Sequence, residues 1–167
     1  MANISEAIVD MEAKGCYKEL RNFARATEYT EYPFIVAKWA DAPADNKLNS
    51  GTIEGSSSGR WNYAGNLEGY IGYDELKGKW IEDTARKEWE ALKAKLLNGA
   101  VIKVHVKDFE PGCELLLDEY FTIDKDGLHD GDCTSYELTP DNLIELGFYD
   151  DIDEASEALG INGIEED

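Results

Sequence analysis

The chain has 167 residues, of which 43% are hydrophobic and 31% charged, with a formal charge of −20. That length suits one domain with a real core, and the apolar content argues against wholesale disorder. No run reaches the roughly 18 to 20 apolar residues of a membrane span, and Met1 to Glu6 lacks the basic start and apolar stretch of a signal peptide, so a cytoplasmic protein is expected.

In chain order, Ser5 to about Ala26 carries Ile8, Met11, Leu20 and Phe23 at near-helical spacing and predicts one helix, broken or kinked at Gly15. Glu31 to Ala40 is dense in β-formers and predicts a strand, followed by a loop over Asp41 to Ser50. Gly51 to Gly72 holds six glycines and three serines around Trp61, Tyr63 and Tyr70, which predicts short strands or a bent segment with close backbone approach. Asp74 to Leu97 predicts an amphipathic helix, with Ile81, Ala85, Trp89, Leu92 and Leu96 on one stripe and Gly99 past its end.

Ile102, Val104 and Val106 alternate with Lys103, His105 and Lys107, as in a half-buried strand. Pro111 and Gly112 turn that strand into Glu114 to Ile123, giving an antiparallel hairpin. Asp124 to Asp132 reads as a polar loop and Cys133 to Leu138 as a third strand. Thr139, Pro140 and Asp141 start a short helix that Gly147 ends, and a second runs from about Asp153 to Leu159. The fold class is therefore α+β: an antiparallel sheet, including a hairpin near 100–123, packed with an N-terminal helix, a central helix at about 75–97 and short acidic C-terminal helices. Residues 1–100 form a near-neutral scaffold, 101–160 an acidic part of the same compact domain, and 161–167 a frayed tail.

The placement of charge carries more information than its total. Residues 1–100 hold 13 basic and 16 acidic side chains, whereas residues 101–167 hold 3 basic and 20 acidic ones. Asp118, Glu119, Asp124, Asp126, Asp130, Asp132, Glu137, Asp141, Glu145, Asp150, Asp151, Asp153, Glu154 and Glu157 have few basic neighbours in sequence and form the candidate binding surface. Crowded like charges destabilise a fold, and carboxylates ranged over one surface can stand in for phosphates in a basic channel. The plain alternative is an acidic face that only confers solubility.

Other chemistry finds less support. Asp126, Asp130, Gly131, Asp132 and Glu137 fall at calcium-loop positions, but Leu128 replaces an oxygen ligand and a strand precedes the segment, so no metal is assigned. His105 and His129 have no nucleophile beside them in sequence, and Cys16, Cys113 and Cys133 carry no metal or thiolate motif. The segment from Gly55 to Arg60 lacks the lysine of a phosphate-binding loop. A non-enzyme without cofactor is expected. Arg60 and Tyr63 are the residue types that anchor interfaces, which gives a second reading: an adaptor using an aromatic surface around them, with Trp61 inside.

In size, charge and charge clustering, and in the flavour of Ser58-Gly59-Arg60-Trp61-Asn62-Tyr63 and Glu145-Leu146-Gly147-Phe148-Tyr149-Asp150, the chain resembles the antirestriction and anti-CRISPR proteins of phages and mobile elements. Several of those act as DNA mimics. The resemblance implies a partner with a basic nucleic-acid-binding surface, such as a nuclease, methyltransferase or CRISPR effector, and no direct contact with nucleic acid or membrane. A homodimer is compatible with it.

Overall fold

The computed structural model describes residues 4–30, 33–37, 49–60, 63–109 and 115–159. Its centre is a six-stranded, fully antiparallel sheet made of β1 (Ile4–Lys14), β2 (Val36–Ala37), β3 (Ser50–Arg60), β4 (Val101–Phe109), β5 (Leu115–Asp124) and β6 (Gly127–Glu137), in the order β2-β3-β1-β4-β5-β6. Among the described residues five helices accompany it: α1 (Tyr17–Thr27), α2 (Tyr63–Tyr70), α3 (Arg86–Leu97), α4 (Pro140–Glu145) and α5 (Ile152–Ala158).

The N-terminal segment corrects the sequence expectation, because Ile4–Lys14 is a strand and only Tyr17–Thr27 is helical. Ala7, Val9, Met11 and Ala13 are buried, while Ile8 and Asp10 between them are half-buried and Glu12 and Lys14 exposed. That is a period of two. Two of the four inward residues are alanines and Ile8 lies on the outward side, so the alternation is faint and Ile8 and Met11 mimic helical spacing. Gly15, at φ +84°, then turns the chain into α1.

Two further expectations change. Phe34 and Ile35 are consecutive and both fully buried, which a strand with one solvent face does not allow, and the described strand there is Val36–Ala37 alone. Most of the expected loop at 41–50 lies outside the described residues, as do Trp61 and the tail at 161–167. The central helix is shorter than expected: irregular chain with left-handed Gly72 and Gly78 leads to a 3-10 turn at Asp83–Ala85 and then α3. The ring of Trp89 occupies the space a Cβ at Gly78 would need, so that glycine serves close packing rather than a helix.

The glycine- and serine-rich stretch divides into β3 and α2. β3 is sheltered between β1 and β2, and the missing side chain of Gly51 lets the ring of Tyr17 lie against the strand. One face of the sheet is covered. Val9, Met11, Ile53, Ile102, Val104, Val106, Phe121 and Ile123 pack there against Leu20 and Phe23 of α1, Trp89, Leu92 and Leu96 of α3, and Leu67 and Tyr70 of α2. Rings tie these helices together, with Phe23 4.9 Å from Phe34 and 5.6 Å from Trp89 between centroids.

The opposite face, carrying Glu12, Thr52, Glu54, Lys103, His105, Tyr120 and His129, is largely open. At its far end Leu116 is buried beneath Leu143 and Ala155, so α4 and α5 form a small lobe on the side away from α1 and α3. Among the described residues no helix is long and apolar enough to cross a membrane.

Candidate functional site: an acidic edge strand and lobe

The stretch from Asp124 to Asp132, expected as a loop, is instead a tight hairpin and the start of β6. Gly127, at φ +106°, closes the two-residue turn. Asp124 holds it from the side, its Oδ1 accepting from the Asp126 N–H at 2.9 Å and lying 2.7 Å from Nε2 of His129. Burial alone would raise the Asp124 pKa, but the Asp126 N–H, His129 and Lys125 outweigh it and hold the carboxyl below its ordinary range.

β6 is an edge strand, so one side of its backbone faces outward. The register shifts between Glu119 and Phe121, and at that bulge a Cβ on Gly131 would stand 2.9 Å from the Tyr120 carbonyl oxygen. Asp130 and Asp132 flank this glycine, both exposed, and Glu137 is exposed at the strand's end.

The chain then enters the lobe. The Thr139 hydroxyl accepts from the Asn142 N–H at 3.2 Å and Pro140 takes the first turn of α4, as the sequence predicts. Gly147, at φ +93°, lies just past its end. The Asp151 carboxylate caps α5 by accepting from the Asp153 N–H at 2.7 Å. Asp141, Glu145, Asp150, Asp151, Asp153, Glu154 and Glu157 are all exposed.

After Lys125 the sequence contains no lysine or arginine. Among the described residues, none of Asp126, Asp130, Asp132, Glu137 or the seven lobe carboxylates has an ion pair with a basic side chain.

Three candidates stand apart from this array. Asp118 lies on the open face, with its Oδ1 2.6 Å from Nε2 of His105, whose ring stacks parallel on Tyr120 at 4.3 Å. Asp124 is engaged in its turn. Glu119 points to the helix-covered face, where burial raises its pKa, a hydrogen bond from the Cys133 thiol opposes that, and Asp130 adds to it. The second reading also changes: Tyr63 is 1% exposed and donates its hydroxyl to the Phe34 carbonyl, so it is a core residue and not a contact. Its N–H donates to Oδ2 of buried Asp108 at 2.7 Å, fixing the start of α2. Arg60 ends β3.

Sequence reasoning missed two partly exposed aromatic residues, of which Tyr73 lies beside the acidic edge. Tyr73 and Trp80, each 37% exposed, lie on the irregular chain between α2 and α3. The signal was present in Gly72 and Gly78, which break the helical pattern around them.

Fold and surface together define an α+β protein with one antiparallel sheet, helices on both of its faces and an acidic edge. No family model, curated protein or solved structure matches the chain.

Proposed function

We propose that this protein acts without catalysis, as an acidic partner that occupies the basic nucleic-acid-binding surface of a nuclease, methyltransferase or CRISPR effector of a host defence system. The observation that carries the reading is the array from Asp126 to Glu157: eleven acidic side chains with no lysine or arginine among them, running along an edge strand into two short helices.

Charge density supports a phosphate-like role. β6 has 11 residues, and at about 3.3 Å per residue it extends roughly 33 Å. Over that length and the roughly 20 Å of the two helices at its end, the carboxylates number about one per 5 Å. Duplex DNA carries about one charge per 1.7 Å of axis and about one per 3.4 Å on each strand. The array is therefore sparser than either, and nearer to one strand of a nucleic acid than to a whole duplex. A purely solubilising excess has no need to exclude every cation from 42 consecutive residues.

Competition assays test this reading. Purified restriction nucleases, methyltransferases and CRISPR effectors are challenged with labelled DNA and increasing protein, across a series of salt concentrations. The protein displaces DNA from at least one of them, and displacement weakens as salt rises. Neutralising the lobe (D141N, E145Q, D150N, D151N, D153N, E154Q and E157Q) abolishes it, while Asn at position 151 still caps α5. Displacement by the neutralised protein equal to that by the parent overturns the reading, as does failure against the whole panel.

A further inference from the structure

A cavity of about 300 Å³ opens between α2 and the bulge of the β5–β6 hairpin, lined by Ala64, Tyr73, Glu119, Phe121, Asp130 and Cys133 among others. It lies on the helix-covered side of the acidic edge, and its size is at the low end of ligand sites, suited to one side chain rather than a cofactor. An aromatic ring, two carboxylates from neighbouring strands and an apolar floor at Phe121 meet there. The geometry points to a cationic side chain of the partner, specifically an arginine guanidinium, as the occupant of this cavity.

A guanidinium is planar, so it can stack on the partly exposed ring of Tyr73 while its fork of N–H donors reaches carboxylates to the side. Glu119 comes from β5 and Asp130 from β6, held at different heights by the bulge between them. The carboxylates around the cavity disfavour any further negative charge there. Burial raises the Tyr73 phenol, and Asp130, Glu68 and Glu119 raise it further, as does its hydrogen bond to Asp130. Cys133 is raised by burial and then by Glu119. Asp130 also raises the Glu119 carboxyl, so a cation entering between the two carboxylates relieves that repulsion.

This inference rests on the proposed function, since it gives the acidic edge one socket for a basic partner, but it is tested separately. The probe is N-acetylarginine amide, titrated into the full chain while backbone amide resonances are followed by NMR. Saturable shifts are expected at Tyr73, Gly131 and Cys133, with little change on α4 and α5. The neutral isostere N-acetylcitrulline amide leaves them unmoved. The variant combining E119Q and D130N weakens arginine binding at least tenfold while keeping the dispersed spectrum of the fold. The lobe-neutral variant binds arginine as the parent does.

Shifts spread over all the carboxylates in proportion to charge, equal shifts with citrulline, or undiminished binding by the E119Q/D130N protein would each overturn the socket. A lobe-neutral protein that loses DNA competition while arginine still binds the cavity separates the two ideas. Loss of the socket with DNA competition intact refutes the socket alone.

Discussion

The acidic lobe is held on by very little, and truncating one residue should release it. Leu116, Leu143 and Ala155 are its fully buried side chains, with Tyr136, Leu138, Phe148 and Tyr149 packed partly against them. Burying a leucine contributes roughly 1.5–3 kcal/mol, so the two leucines together supply on the order of 3–6 kcal/mol. Leu143→Ala costs about 2–5 kcal/mol, a loss comparable to the whole of that contribution.

Hydrogen exchange resolves the consequence, because the Leu143, Leu146, Ala155 and Leu159 amides all donate within the lobe. With tenfold per 1.4 kcal/mol, their exchange should accelerate on the order of 100-fold, while amides of β1 and β4 change little. Added salt should restore part of the protection, since the seven lobe carboxylates repel one another. Acceleration of lobe and central strands by the same factor would refute the idea of a separable satellite core. So would a change smaller than about threefold in the lobe.

Gly127→Ala should destabilise the protein by about 1–3 kcal/mol in chemical denaturation, because the residue has a left-handed φ and its Cβ would meet the Gly72 carbonyl oxygen at 2.5 Å. Asp108→Ala removes the acceptor of the Tyr63 N–H inside the core and should cost about 1–3 kcal/mol, with exchange at the start of α2 rising first. Cys16 is fully buried, and burial with the nearby Glu19 carboxylate pushes its thiol up to about 12 against an ordinary 9.0. The unfolded chain gives up that proton first, so the Cys16 contribution is complete below pH 9 and is lost as pH rises toward 12. Comparing the protein with Cys16→Ala over that window should show an extra fall of about 1.4 kcal/mol per pH unit in the parent. A parallel pH dependence for the two proteins would count against it.

Where inward residues were large and regularly spaced, the elements were legible in the sequence. Ile102, Val104 and Val106 announced β4, Trp89, Leu92 and Leu96 announced α3, and Thr139-Pro140 marked the start of α4. β1 was hidden because alanines carry half of its buried face, and β3 was legible only as short strands or a bent segment because glycine and serine have no β signature of their own. Both depend on neighbours in the sheet for their structure. The second half of β6 is legible as the expected strand from Cys133, but its first half reads as a loop for the same reason: Gly127, Asp130, Gly131 and Asp132 are turn formers, and only pairing with β5 makes them a strand.

The sequence by itself determined that acidic side chains segregate after residue 100 and that basic ones end at Lys125, because composition needs no geometry. Tertiary structure decided which of those carboxylates share a surface. Strand alternation sends Asp118 and Glu119, adjacent in sequence, to opposite faces of the sheet, and the bulge at Gly131 sets Asp130 beside Tyr73. Packing on Leu116 brings α4 and α5 to the open face at the end of the same edge strand. These outcomes rest on register and long-range packing, to which the order of residues along the chain contributes no distance.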